Sequence, residues 1–112
     1  MSGISTHVLD LSLGKPVVGL MVRLERGSGE SALVLATEFT DENGRCRYGG
    51  ANQPLGPDVY RLVFNTGQYF GELKISSIYP EISIAFNISE KGGSYHLPLL
   101  LSPNGFTTYR GS

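Results

Sequence analysis

Apolar and polar residues alternate with a period of two in several short runs of this chain, the pattern of half-buried β-strands. Over residues 4–10, Ile4, Thr6, Val8 and Asp10 fall on one face and Ser5, His7 and Leu9 on the other. The alternation recurs at 20–25, where Leu20, Val22 and Leu24 oppose Met21, Arg23 and Glu25, and at 59–64, where Val59, Arg61 and Val63 oppose Tyr60, Leu62 and Phe64. It is cleanest over 82–88, with Ile82, Ile84, Phe86 and Ile88 on one side and Ser83, Ala85 and Asn87 on the other. Further strands are predicted at 32–39, with Leu33, Leu35 and Phe39 packing inward, at Arg45-Cys46-Arg47, at 94–101 and at 106–110.

Turn chemistry separates these runs. Gly14-Lys15-Pro16 and Gly27-Ser28-Gly29-Glu30 break the first strands, and Thr40-Asp41-Glu42-Asn43-Gly44 ends in an Asn-Gly pair suited to positive φ. Residues 49–58, with Pro54 and Pro57, read as a loop, and Ser102-Pro103-Asn104-Gly105 as a turn. Between Gly67 and Pro80 the spacing of Phe70, Leu73 and Ser77 predicts one short helix, stopped by Tyr79-Pro80. Seven or eight strands with one small helix predict an all-β, two-sheet sandwich with apolar inner faces.

Composition narrows what such a sandwich does. A length of 112 residues with 40% hydrophobic positions predicts a single domain spanning 1–112. Nine Lys+Arg against ten Asp+Glu leave no excess charge to neutralise phosphates, so no nucleic-acid partner is expected. The apolar stretches at 17–22 and 97–101 are far shorter than the roughly 20 residues of a membrane-spanning helix, and no membrane partner is expected. A lone cysteine, Cys46, and an N-terminus without a basic-then-apolar segment point to the cytoplasm. No spacing of His and Cys suits a zinc site, and no phosphate-binding glycine loop is present, so neither metal nor cofactor is expected.

The chemistry-bearing residues are few. His7 lies in the first strand and His96 in an apolar one; each reads either as a hydrogen-bonded structural imidazole or as half of a general-base pair. Arg45 follows the Asn-Gly turn, either as a solvated side chain or as a fork for carbonyl oxygens. An ordered Tyr109-Arg110-Gly111-Ser112 would gather a phenol, a guanidinium, a hydroxyl and the terminal carboxylate, whereas a frayed end would be mere decoration.

Several segments together resemble the transthyretin-like family, in particular its 5-hydroxyisourate hydrolases: Ser5-Thr6-His7-Val8-Leu9-Asp10, Gly14-Lys15-Pro16, the stretch from Thr40 to Arg45, Tyr60-Arg61-Leu62-Val63-Phe64-Asn65-Thr66-Gly67, Tyr79-Pro80-Glu81-Ile82, Tyr95-His96-Leu97-Pro98 with its sequel to Pro103, and the terminal tetrapeptide. The tetrapeptide separates the family's enzymes from its hormone carrier, and Phe106-Thr107-Thr108 departs from the more usual Tyr-Ser-Thr. The resemblance implies a transthyretin-like (prealbumin-like) sandwich of about eight strands, assembled as a homotetramer, a dimer of dimers. It implies cofactor-free hydrolysis of 5-hydroxyisourate to 2-oxo-4-hydroxy-4-carboxy-5-ureidoimidazoline in urate degradation. It carries His7, Arg45, His96 and Ser112 over as catalytic residues, with Tyr109 and Arg110 joining His7 and Arg45 in binding substrate. On that reading one histidine activates water while the other assists, and Arg45 meets the oxyanion. The alternative is a noncatalytic carrier of hydrophobic aromatic ligands.

Overall fold

A computed structural model describes residues 2–27, 29–50 and 54–111. Nine strands are assigned there: β1 (Ser2–Asp10), β2 (Lys15–Pro16), β3 (Met21–Arg26), β4 (Leu33–Phe39), β5 (Arg45–Gly49), β6 (Asp58–Phe64), β7 (Ile82–Ile88), β8 (Gly93–Ser102) and β9 (Gly105–Thr108). One helix, α1 (Thr66–Glu72), and a 3-10 turn at Gly29–Ser31 complete the described elements. The strands form a two-sheet sandwich. One sheet runs β2-β1-β8-β9 with β5 also pairing β1, and the other runs β4-β3-β6-β7.

The core lies between the sheets, and the predicted alternation places it. Ile4 and Val8 of β1, Cys46 and Tyr48 of β5, and Tyr95, Leu97, Leu99 and Leu101 of β8 are buried from one side. Val22, Leu24, Tyr60, Leu62, Phe64, Ile82 and Ile88 meet them from the other. The Thr6 and Tyr48 hydroxyls that enter this core are both satisfied, which avoids a desolvation cost. Thr6 Oγ1 donates to the Leu97 carbonyl at 2.6 Å, and Tyr48 Oη crosses between sheets to the Val22 carbonyl at 2.7 Å.

The β1–β8 pair is parallel and in register over nine residues, from Ser2 opposite Gly93 to Asp10 opposite Leu101. Because Ile4, Thr6 and Val8 must face inward together with Tyr95, Leu97 and Leu99, a one-residue slip would turn apolar side chains to solvent. That constraint sends Ser5, His7 and His96 to the outer face.

Two expectations are corrected. Leu33 and Phe39 do not pack inward: they are 66% and 60% exposed, and only Leu35 packs against the core. The register explains it, since Glu38 stands opposite inward-facing Val22, so Phe39 shares the outer face with Met21. A bulge between Leu24 and Glu25 then leaves Leu33 at the end of an edge strand, opposite Arg26. The short helix forms as expected but stops well before Tyr79-Pro80, because Lys74 takes φ 59 and the Ile75 amide bonds back to the Phe70 carbonyl at 2.9 Å. The last strand stops at Thr108 rather than Arg110. In the continued register Tyr109 stands opposite Pro98, which has no N–H for the ladder.

The helix is tied to the sheet that carries the histidines. Asp10, 1% exposed, accepts from the Ser12 and Leu13 amides and from Tyr69 Oη at 2.6 Å. Tyr69→Phe is expected to lower unfolding free energy by about 1–3 kcal/mol, because a buried carboxylate oxygen loses its donor. The urea midpoint, at unchanged m-value, measures the loss.

Candidate active site

Two rows of residues cross the outer face of the β1-containing sheet. In the first, Arg47 of β5 stands opposite Ser5 of β1, Ser5 opposite His96 of β8, and His96 opposite Gly111. In the second, Arg45 stands opposite His7, and His7 opposite Pro98. Neighbouring strands lie about 4.8 Å apart, so the first row spans about 14 Å. His7 and His96 are diagonal neighbours, about 8 Å apart at the backbone, a gap that long side chains and a small molecule bridge.

His96 is held from two sides. Its Nδ1 lies 2.8 Å from Ser5 Oγ, and its carbonyl accepts the Gly111 amide at 2.7 Å. A side chain at position 111 would bring a Cβ to 2.7 Å from His96 Cδ2, so the close approach of the tail requires glycine there. Burial, and then the charges of Arg45, His7 and Arg47, push the His96 pKa below its ordinary value, favouring the neutral ring.

Arg45 is placed by the turn before it. Asp41 Oδ1 accepts from the amides of Asn43 and Arg45, both at 2.9 Å, and Gly44 takes φ 79. A Cβ at Gly44 would meet the Val8 carbonyl oxygen at 2.5 Å. The turn therefore docks onto β1, and Arg45 emerges beside His7. These amide bonds, aided by the positive charges of Arg45 and His7, hold the Asp41 carboxyl below the usual range.

A hollow of about 800 Å³ opens over this face, lined by His7, Leu9, Glu38, Phe39, Asp41 and Arg45 among others. A second, of about 310 Å³, adjoins it and includes Ser5, Arg45, Arg47, Ser94, His96 and Gly111. Cys46 contributes to both walls, but burial pushes its thiol up to about 11, so it stays protonated and is no nucleophile at neutral pH.

The structure thus brings His7, Arg45 and His96 to one face, with Gly111 of the tail against His96. Tyr109 is exposed and lies between Thr108, paired with Leu99, and Gly111. Arg110 goes elsewhere. Its guanidinium rests 4.3 Å from the centroid of the Tyr95 ring and Nη2 donates to the Ser94 carbonyl at 3.3 Å. It anchors the tail rather than facing the hollow beside His7. Ser112 lies outside the described residues. Sequence reasoning overlooked Ser5 and Arg47, although strand parity puts them on the same faces as His7 and Arg45.

A family model described as the HIUase/Transthyretin family matches residues 4–111. The 5-hydroxyisourate hydrolase of Salmonella typhimurium is 42% identical over 109 residues, covering 97% of this chain and 80% of the relative. The structure of Klebsiella pneumoniae 5-hydroxyisourate hydrolase is similar with a TM-score of 0.88 and 39% identity, over 100% of both chains. Transthyretin from Sparus aurata shares the fold with a TM-score of 0.87 at 25% identity, over 96% of this chain and 95% of that one. With a match reaching from the first strand to the residue that pairs with His96, the chain belongs to the HIUase/Transthyretin family.

Proposed function

We propose that this chain hydrolyses 5-hydroxyisourate to 2-oxo-4-hydroxy-4-carboxy-5-ureidoimidazoline in urate degradation. Its hydrolase relatives support the substrate. The observation that carries the reading is the setting of His96: an imidazole fixed by Ser5 and by the tail, diagonal to His7 and flanked by Arg45.

In the proposed mechanism, His96 keeps its proton on Nδ1 in a hydrogen bond to Ser5 Oγ and uses Nε2 to take a proton from water. The water oxygen attacks the ring carbonyl carbon while the Arg45 guanidinium meets the developing oxyanion. Collapse of the tetrahedral intermediate breaks the carbon–nitrogen bond, and His96 returns its proton to the leaving nitrogen. His7 holds the attacking water and Tyr109 orients the heterocycle. Arg110 contributes by fastening the tail to Tyr95, and Ser112 keeps the implied role of positioning water or a histidine. Water and these side chains supply the chemistry without a cofactor.

The proposed assembly is a homotetramer, a dimer of dimers acting in the cytoplasm, with this face covered by another subunit. Exposed Leu11, Leu13 and Val18 in the loops that flank β2 support further burial. A carrier of hydrophobic ligands would have to desolvate the cations on this face without partners, at several kcal/mol per ion.

The test generates the substrate in place, by urate oxidation with urate oxidase, and follows its absorbance. Decay faster than the spontaneous rate, proportional to added protein, is expected; decay at the spontaneous rate with folded protein rejects the hydrolase reading.

The pH profile carries its own prediction. Only neutral His96 serves as base, and its burial and neighbouring cations make it bind a proton at lower pH than an ordinary histidine. The acid limb of kcat/KM is therefore expected to inflect below pH of about 6.5, the ordinary imidazole value. Removing a neighbouring charge with Arg47→Gln should move that inflection upward.

A further inference from the structure

Hydrolysis of a cyclic amide creates an anion. The water oxygen bonds to the carbonyl carbon, the carbon–nitrogen bond breaks, and one water proton goes to the nitrogen. The other stays on the new carboxyl group, which releases it to solvent at neutral pH because carboxyl groups ionise near pH 4.

The 310 Å³ hollow beside His96 is built for such a group. Arg45 and Arg47 are both exposed, both on the outer face of β5, and two residues apart, about 7 Å along the strand. The ion pairs among the described residues are Arg23–Glu25, Arg26–Asp58 and Arg61–Glu25, which leave both of these guanidiniums without a carboxylate. Glu38 and Asp41 line the larger hollow, whose wall Arg45 and Arg47 also share, but neither carboxylate forms an ion pair with them, and Asp41 Oδ1 is occupied by two backbone amides. Among the described residues, the wall of the smaller hollow carries two guanidiniums and no acidic side chain. Guanidinium forks match carboxylate geometry, often through two parallel hydrogen bonds.

We propose that Arg47, with Arg45, forms a carboxylate subsite beside His96 that receives the acid group of the ring-opened product. The assignment rests on the hydrolase reading for its biological ligand, but the chemistry it predicts is general: preference for an open ureido acid over the corresponding closed ring. Arg45 serves the oxyanion and then the carboxylate that replaces it, while Arg47 engages the carboxylate alone.

Hydantoate and hydantoin test this, since they are an open ureido acid and its cyclic amide, differing by one water. Each is titrated into protein carrying ¹⁵N-labelled arginine, with the guanidine Nε–Hε resonances as readout. Hydantoate is expected to shift Arg45 and Arg47 signals and to bind at least about fivefold more weakly to Arg47→Gln, with partial recovery in Arg47→Lys. Hydantoin affinity should be the same in all three proteins. Equal hydantoate affinity in wild type and Arg47→Gln, or equal losses for the acid and the ring, overturns the subsite. The binding arm is independent of turnover: Arg47-dependent hydantoate binding without accelerated 5-hydroxyisourate decay keeps the subsite and rejects the hydrolase, and the converse result does the reverse.

Discussion

Replacing His96 with asparagine is expected to reduce kcat/KM for 5-hydroxyisourate by about 10²–10⁴-fold, the usual loss when a positioned base is removed. The amide still reaches Ser5 and fills most of the space beneath Gly111, so the β8 backbone and its bond to the tail should survive. The expected result is a collapse of rate in a protein whose far-ultraviolet circular dichroism and urea midpoint match wild type. A His96→Asn protein that turns over normally would remove the imidazole from the chemistry and leave His7 as the base. The comparison matters because both histidines lie on the same face. His96 ranks first through its contact with Ser5, the bond between its carbonyl and Gly111, and its favoured neutral state.

Phe64→Ala should be the most damaging of the single substitutions considered for stability, at about 3–5 kcal/mol. The ring is fully buried at the end of β6, opposite Val22 on one side and Ile82 on the other. Truncation leaves a cavity bounded by strands whose registers are pinned at both ends, so the surroundings have little freedom to collapse. Such a loss is a large share of the 5–15 kcal/mol that separates folded from unfolded states in proteins generally. Urea unfolding at fixed protein concentration measures it, fixed because the proposed subunit association would add its own stabilisation. A change below about 1 kcal/mol would mean that this end of the sandwich repacks freely.

The two predictions draw on opposite faces of the same strand alternation. Ile4, Thr6 and Val8 had to face inward, so His7 had to face outward; the same logic governs His96 between Tyr95 and Leu97. This much is legible without coordinates, because a strand's period of two is set by the backbone. It fails at edges. Leu33 and Phe39 read as core residues but lie on an edge strand whose pairing with β3 contains a bulge, and local alternation cannot reveal which residue a neighbouring strand places opposite. Arg110 leaves the expected cluster for a similar reason. The tetrapeptide suggested four groups gathered at one place, yet parity in the continued β9 register sends adjacent residues to opposite sides, and the Tyr95 ring captures the guanidinium.

By itself, the sequence determined the number and kind of most elements, most of the residues that form the two inner faces, and the outward direction of His7, since these follow from turn chemistry and a two-residue period. The tertiary structure alone decided that Ser5 would touch His96 across 91 positions of chain, that Gly111 would close against the same imidazole, and that Arg47 would join Arg45 without an acidic partner among the described residues. Those contacts depend on which strands lie side by side and in what register. That choice is made by burial of the whole core, and no local stretch of residues contains it.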